Sequence, residues 1–296
     1  MIGQEIIKQQ IKELIDNNSY PRFSIIVGKR GAGKKTLGKF IAKTLGYQYI
    51  VWTNKIDDIR ELVTLMYKQP DPTVYCIPEY EDMSIGARNA LLKVCEEPPN
   101  NSYIILTSSL KEIILPTLLG RGTTFELGTY SKDELFSIAK EQNSSVEDNE
   151  IYSKIKYCEV PGEFNSFGEN KIDEFEKFVN ILWQNIGVAS AGNLLKVTSK
   201  IQLKDDGAGY NINLFINALT LLNNSTEELR MRSKIYSELI RAKRDIQLKF
   251  NKQYIVDNLL LNIRSIRNGI IWFTETNSKL WMSKIPYIRR WRLCSC

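Results

Sequence analysis

The chain has 296 residues, of which 43% are hydrophobic, enough for two or three domains with buried cores. It contains no histidine, which excludes Ser-His-Asp and Cys-His catalysis and histidine metal sites. Its five cysteines are odd in number and lack C-x-x-C spacing, which argues against a disulfide framework and a zinc ribbon. The formal charge of +6 is concentrated in residues 264–296, which carry seven Lys or Arg against one Glu.

The sequence predicts neither a signal peptide nor a membrane span. The N-terminus has an early acidic residue and no apolar stretch of the signal-peptide type. The longest uncharged window, residues 207–226, has the length of a membrane helix but contains five asparagines, each costly in hydrocarbon. We therefore expect a soluble, cytoplasmic protein with no membrane partner.

Short runs of β-branched and aromatic residues alternate with helical patterns in the first part of the chain. The predicted strands are 24–28, 47–53, 73–79, 103–109 and 123–127, and the predicted helices are 4–17, 34–45, 55–68, 84–97 and 111–119. This alternation is typical of a parallel sheet covered by helices.

After Gly128 the pattern predicts helices and no further strand. Two short helices are expected at SKDELFSIAKEQ and VEDNEIYSKIKY, a third opens at Pro161-Gly162, and longer helices follow. The expected fold class is α/β, with a nucleotide-fold domain at 1–128 and a small helical domain at 129–168. A larger all-α domain is expected at 169–264, followed by a basic aromatic tail at 265–296.

The stretch GKRGAGKKT, residues 28–36, follows a predicted strand and opens a helix. It is close to the phosphate loop G-x-x-x-x-G-K-[ST], in which glycines let backbone N–H groups converge on phosphate and the lysine bridges the terminal phosphates. ATP is therefore a possible ligand. The predicted nucleotide-binding residues are Gly28, Gly31, Gly33, Lys34, Lys35 and Thr36.

The ligands that magnesium requires are missing from two positions. Lys35 stands where the loop needs a hydroxyl, and Thr36 lies about 100° further round the helix. Pro78 takes the place of the aspartate expected after the strand VYCI. The following Glu79 is either a catalytic carboxylate or a solvated loop acid. We predict no zinc and no other metal site.

Three segments resemble the clamp-loader branch of the AAA+ family, and within it the delta-prime subunits of the bacterial DNA polymerase III clamp loader. They are NALLKVCEEPP at 89–99, SYIILTSS at 102–109 and ILPTLLGRG at 114–122. Gly3-Gln4 is similar to the adenine-side segment of that family, and residues 239–263 are similar to its collar helices. The resemblance implies a P-loop AAA+ parallel-sheet domain, a small helical lid domain and an all-α collar domain.

The resemblance also implies roles for single residues. Arg121 stands where relatives carry an arginine that reaches the ATP site of the neighbouring subunit, and Gly120 and Gly122 are expected to loosen its loop. Thr107 and Ser108 fall in the sensor strand. Glu163 replaces the arginine of the second sensor and would repel phosphate. The collar is expected to use apolar stripes for ring contacts or for its own core, at Tyr236, Leu239, Ile240, Ile255, Leu259, Leu260 and Ile263.

The leading hypothesis is a largely non-hydrolysing, delta-prime-like ring subunit that donates Arg121 to a neighbour. Its implied partners are other clamp-loader subunits, the sliding clamp and primer-template DNA. One alternative is an active AAA+ ATPase of replication or repair that uses Glu79 and Lys34. Another is a DNA-binding adaptor whose tail interleaves aromatic and basic residues, namely Tyr287, Arg289, Arg290, Trp291 and Arg292.

Overall fold

The computed structural model describes residues 1–166, 172–197, 201–202 and 210–269. The first part forms a five-stranded parallel sheet in the order β2-β3-β4-β1-β5. Its strands are β1 Phe23–Val27, β2 Gln48–Val51, β3 Thr73–Ile77, β4 Ser102–Ser108 and β5 Thr123–Glu126. Helix α1 Glu5–Asp16 precedes β1, and the connecting helices are α2 Lys34–Leu45, α3 Ile56–Lys68, α4 Ile85–Glu96 and α5 Pro116–Leu119. The predicted α/β class is confirmed.

Alternate residues of the central strands point to opposite faces of the sheet, as the two-residue period of a strand requires. Ile25 packs with apolar residues of α3 and α4, whereas its neighbour Ile26 packs with those of α1 and α2. Both faces are therefore covered, which explains why the strands read as nearly continuous apolar runs.

Three predicted elements are clearly shorter than the sequence pattern indicated, among them β2, which covers Gln48–Val51 where 47–53 was expected. The helix expected at 111–119 begins only at Pro116, because a proline disfavours helical geometry in the residue before it. The strand expected at 73–79 ends at Ile77, because Pro78 cannot donate to the sheet and Glu79 has a left-handed backbone with φ of 54°.

The second part of the chain is mainly helical. Its helices are α6 Lys132–Gln142, α7 Asp148–Ile155, α8 Ile172–Asn185, α9 Ala191–Leu195, α10 Ile212–Asn224, α11 Leu229–Gln247 and α12 Lys252–Arg267. A short 3-10 turn, Pro161–Ser166, occupies the start of the predicted third helix. The prediction that strands end at Gly128 was wrong in one detail, since Ile201–Gln202 (β6) pairs with Tyr210–Asn211 (β7). Two-residue strands are too short to produce a periodic pattern.

One apolar cluster runs through the helical part from Tyr130 to Ile263. It contains most of the predicted collar stripe, whereas Tyr236 and Ile240 are about half exposed, at 48% and 50%. The predicted boundary between 168 and 169 stays a prediction, and the tail residues 270–296 lie outside the described part of the chain. Among the described residues, no helix combines the length and apolar character that crossing a membrane requires.

Candidate nucleotide site and arginine turn

The phosphate-like loop lies at the carboxyl end of β1, which sits between β4 and β5 in the sheet. The chain leaves β1 for the far edge of the sheet, so this is a point where the strand order reverses, the usual position of a ligand crevice in such folds. Gly31 and Gly33 have φ of 84° and 88°, which glycine adopts without strain. The loop and the N-terminus of α2 thus have the backbone form that the motif predicts.

The lysine of the loop is buried and bonded to its own loop. Lys34 is 8% exposed, and its Nζ donates to the carbonyl oxygens of Gly28 at 2.7 Å and Lys29 at 3.1 Å. Burial lowers the pKa of Lys34, although the charges of Glu81 and Glu79 act in the opposite direction. The charge that the motif offers to phosphate is therefore already held by two carbonyl groups.

The helical part of the chain packs directly on this loop. The N–H of Gly162 donates to the carbonyl of Gly31 at 3.0 Å, and a Cβ added to Gly162 would lie 2.6 Å from the Cα of Gly31. The hydroxyl of Tyr130 donates to the carbonyl of Ala32 at 2.8 Å. Two carbonyls of the loop therefore bond to residues beyond the sheet.

An ion-pair bridge joins the loop to α11. The carboxylate of Glu159 contacts the ammonium groups of both Lys29 and Lys243. Burial alone raises the pKa of Glu159, but the bonds to Lys243 and Lys29 outweigh it and hold that pKa below its usual range. A basic side chain of the phosphate-like loop is thus committed to an internal carboxylate.

Glu163, the residue at the predicted second-sensor position, points inward. Its Oε2 accepts hydrogen bonds from the N–H groups of Glu159 at 2.7 Å and Val160 at 3.4 Å, and from the side chain of Asn217 at 3.4 Å. The side chain is buried, and this burial raises the pKa of the carboxyl. Glu163 therefore organises the turn that touches Gly31.

The end of β3 places two carboxylates near the loop. The N–H of Glu79 donates to Thr107 Oγ1 at 3.1 Å, and the Glu79 carboxylate lies 3.7 Å from Arg30 Nε. Ser108 Oγ donates to Glu81 at 3.1 Å, and Ser109 donates to the same carboxylate through both its N–H and its hydroxyl. The two predicted sensor residues thus contact the acidic segment after β3.

Glu81 was not predicted as a site residue. Burial acts to raise its pKa, but the hydrogen bonds from Ser109 and Ser108 outweigh it and lower that pKa. The sequence offered a weak signal, because EYE repeats the acid at a two-residue interval after Pro78. Only the position next to the proline matched the motif, so Glu79 alone was selected.

The residues at the magnesium positions do not fit that ion. Lys35 and Thr36 are exposed on the first turn of α2, and Pro78 follows β3, which β4 separates from β1. Lysine and proline side chains supply no oxygen ligand for a hard divalent cation. Among the described residues, no group of three or more Asp, Glu, Cys or His forms a metal site.

A cleft of about 1240 Å³ separates the loop and the strand ends from the turn after α11. Its volume exceeds the usual range for small-molecule sites, and its lining carries both signs of charge. An ion pair between Lys249 and Asp82 crosses from the helical part to the sheet part. The cleft is therefore large, but many of the charged side chains that line it are paired with one another.

The Gly3-Gln4 segment is hydrogen-bonded to Gly128, just after the end of β5. The Gln4 side chain donates to the carbonyl of Gly128 at 3.0 Å and accepts from its N–H at 2.9 Å. A Cβ on Gly33 would lie 3.4 Å from the Tyr130 hydroxyl and 4.0 Å from Met1 Cε. The predicted adenine-side segment is thus brought near the loop, with Tyr130 close to both.

The arginine turn lies at the amino end of β5, so it is far along the strand from the loop. Arg121 follows α5, and its Nη1 lies 2.7 Å from Oε1 of Glu96, the last residue of α4. The side chains are 46% and 37% exposed respectively. The guanidinium is therefore accessible at the surface and is paired with an acidic residue of its own chain.

The expectation that glycines loosen this turn was wrong. The N–H groups of Arg121 and Gly122 both donate to the carbonyl of Leu118, at 3.1 and 3.0 Å. A Cβ on Gly122 would lie 2.8 Å from the Phe23 ring, so the glycine allows close packing against β1. Gly120 has an ordinary φ of −72°. The backbone under Arg121 is hydrogen-bonded and packed.

Comparison with known proteins adds independent findings. The family model described as DNA polymerase III, delta subunit, matches residues 52–131, a span that includes β3, α4, β4 and Arg121. The DNA polymerase III subunit gamma of Buchnera aphidicola subsp. Schizaphis graminum is 27% identical over 171 residues, 47% of each chain. The resemblance to clamp-loader subunits is confirmed.

Two delta' subunits match over a shorter part of the chain. The protein of Buchnera aphidicola subsp. Baizongia pistaciae is 30% identical over 107 residues, 36% of this chain and 30% of that protein. The Haemophilus influenzae protein is 29% identical over 105 residues, 36% of this chain and 32% of that one. The chain spans less than half the length of these curated relatives.

Among solved structures, the Thermotoga maritima RuvB Holliday junction branch migration motor is similar at 18% identity with a TM-score of 0.46. The match covers 82% of this chain and 78% of that one. A similarity at this level supports no conclusion about function.

Proposed function

We propose that the chain is a delta-prime-like ring subunit of a DNA polymerase sliding-clamp loader, acting in DNA replication. In this role it hydrolyses little or no ATP and contributes Arg121 to the ATP site of a neighbouring subunit. The observation that carries the proposal is a contrast between two basic residues. Lys34 bonds to carbonyls of its own loop, whereas Arg121 lies at the surface on a hydrogen-bonded turn.

Arg121 has the chemistry that a trans-acting residue requires. A guanidinium presents a planar fork of N–H donors that matches phosphate oxygens, and it stays charged at physiological pH. Its bond to Glu96 is an exposed ion pair, a type that contributes little free energy in water. A triphosphate with several negative charges can therefore compete for the guanidinium.

The chain's own site lacks the means to neutralise charge during phosphoryl transfer. Magnesium would bridge and neutralise the terminal phosphates, and Lys35 and Pro78 do not fit it. Lys34 would have to leave its two carbonyls before it could contact phosphate. Since the reaction depends on positioning and electrostatic stabilisation, these features together support a largely inactive site.

The central experiment uses a ring assembled with gamma-type subunits, in which only the ATP site next to this chain keeps its phosphate-loop lysine. We call this assembly the single-site ring. Arg121→Ala is expected to lower its ATPase rate by about 10³-fold or more, the range of trans-acting arginines. Arg60→Ala is the control, since Arg60 is an exposed arginine paired with Asp57. An unchanged rate in Arg121→Ala rings that still assemble contradicts the proposal.

Nucleotide binding by the isolated chain tests the enzyme alternative. A fluorescent ATP analogue titrated with and without Mg²⁺ is expected to bind weakly or not at all, with little dependence on the ion. Turnover by the isolated chain above roughly one per second, a normal enzyme rate, would support an active ATPase that uses Lys34 and Glu79.

The proposal assigns the partners and domains that the resemblance implies. Residues 129–168 act as a lid and 169–264 as a collar that contacts other clamp-loader subunits, while the ring acts on the sliding clamp and primer-template DNA. Because one apolar core contains residues on both sides of the predicted 168/169 boundary, truncation there would disrupt the fold. Surface substitutions are therefore the better test. Tyr236→Ala with Ile240→Ala is expected to weaken ring assembly, whereas Ile181→Ala, at a still more exposed apolar position on α8, is the control.

The basic tail has a separate test, which also examines the adaptor alternative. Deletion of 265–296 would remove the end of α12 together with residues outside the described part, so deletion of 270–296 isolates the tail. If the tail contacts phosphate, the salt dependence of DNA binding falls in the shortened chain. An unchanged salt slope assigns DNA contact elsewhere in the ring.

A further inference from the structure

Within the described part of the chain, Glu96 pairs with Arg121, the arginine of the proposed function. It is the last residue of α4, whose buried face includes Leu91, Val94 and Cys95 beneath the sheet. The base of this side chain is therefore fixed by core packing. Its carboxylate lies 2.7 Å from the guanidinium of Arg121.

The surroundings of the pair hold both partners from below. On the Arg121 side, the two N–H bonds to Leu118 and the tight packing of Gly122 on Phe23 fix the backbone. On the Glu96 side, the C-terminus of α4 carries the negative end of the helix dipole, which also favours a cation there. The fixed backbone and the ion pair together favour one position of the long arginine side chain.

We propose that Glu96 is the positioning residue for Arg121. It holds the guanidinium over the end of α4, in the orientation from which the arginine reaches the phosphate of a neighbouring subunit. The inference rests on the proposed function, because it needs Arg121 to act in trans. In this role the carboxylate of Glu96 reduces the number of orientations that the Arg121 side chain samples before it contacts phosphate.

An alternative role for the pair is simple stabilisation of the fold. An ion pair with side chains 46% and 37% exposed contributes little to folding in water. Glu96→Gln keeps the shape of the side chain and removes its charge, so the chain should unfold at nearly the same temperature. A change in catalytic rate without a change in unfolding then separates positioning from stabilisation.

The test measures ATP turnover by the single-site ring with Glu96→Gln in this chain. The rate at saturating ATP is expected to fall about two- to fivefold, the range that loss of one exposed ion pair corresponds to, with KM for ATP little changed. Glu97→Gln is the matched control, because Glu97 is the adjacent exposed carboxylate and has no ion pair among the described residues. Glu96→Asp is expected to restore part of the rate.

A double variant shows whether Glu96 acts through the arginine. In Arg121→Ala chains, adding Glu96→Gln is expected to lower the rate no further. An additive loss, an unchanged rate in Glu96→Gln alone or a faster rate overturns the positioning role, the last because the acid would then restrain the arginine. If Arg121→Ala itself has no effect, the proposed function fails first, so the two failures are distinguishable.

Discussion

The phosphate-like loop and the arginine turn each carry a basic side chain close to glycines. The side chain of the loop points into the protein, whereas that of the turn lies at the surface. Lys34 is 8% exposed and bonds to two carbonyls of its own loop. The Arg121 side chain is 46% exposed, and its partner Glu96 is also at the surface. The two charged groups therefore differ in their contacts, since one is held inside its own loop and the other lies at the surface.

The difference extends to what surrounds each backbone. The loop touches the helical part through Gly162, Tyr130 and the bridge from Lys29 to Glu159. The arginine turn is packed against β1 from beneath and faces solvent above. One region thus joins two parts of the chain, and the other lies at the surface of the described residues.

The contrast between Lys34 and Arg121 would be overturned if ATP turnover depended on Lys34 more than on Arg121. In the single-site ring, Lys34→Ala is expected to lower ATP turnover less than about tenfold, against about 10³-fold or more for Arg121→Ala. The proposed function supplies the reason, because in it Arg121 contacts a neighbour's phosphate while Lys34 bonds to its own loop. Steady-state phosphate release from matched rings measures both. Loss of turnover with Lys34→Ala and none with Arg121→Ala would identify a working catalytic loop.

The joint between the loop and the helical part has a steric test. Gly162→Ala places a Cβ 2.6 Å from the Gly31 Cα, so one backbone must move. We expect a loss of about 1–3 kcal/mol in the free energy of unfolding, as for overpacking elsewhere. Gly192→Ala is the control, since nothing lies within 4 Å of its added Cβ. Equal unfolding midpoints in urea for the two variants would contradict the joint.

The sequence was sufficient for the sheet because its signals are local. Strands such as β3 and β4 are short apolar runs between turn residues, and the loop after β1 carries its own glycine pattern. The sequence also indicated that Arg121 follows a short helix, since it comes soon after Pro116 in the segment ILPTLLGRG. Its partner Glu96 lay in another quoted segment, but no sequence pattern indicated that the two side chains meet.

The contacts that close the loop could not be predicted, since they join residues distant in sequence. Nothing local to Gly162 indicates that Gly31 lies against it, or that Lys243 shares Glu159 with Lys29. Glu163 was interpreted only as a charge facing phosphate, because the bonds that turn it inward depend on tertiary packing. Residue identity predicted the altered site, whereas packing determines what the altered residues contact.

The bridge at Glu159 offers a smaller test of the joint. Glu159→Gln removes the charge between Lys29 and Lys243, and we expect a loss of about 1 kcal/mol at neutral pH, as for a partly exposed ion pair. Because the folded-state pKa of Glu159 lies below its ordinary 4.5, this stabilisation is present above that value and is lost as the pH falls through the folded pKa. Denaturant unfolding of both chains at several pH values measures it, with the exposed Glu141→Gln as control. A difference between the chains that does not shrink in acid would contradict the bridge.

Glu163 gives the smallest effect, and its pH dependence has the opposite sign. Burial raises its folded-state pKa above 4.5, so its contribution to stability is complete below that value and is lost as the pH rises through the folded pKa. Glu163→Gln keeps a side-chain oxygen for the N–H groups of Glu159 and Val160 without burying a charge. From pH 4 to pH 8 its free energy of unfolding should improve relative to that of the unsubstituted chain. Over the same interval the free energy of unfolding of Glu159→Gln should fall relative to that of the unsubstituted chain. Parallel plots of unfolding free energy against pH for the two variants would show that Glu163 is solvated and that the loop is open at the second-sensor position.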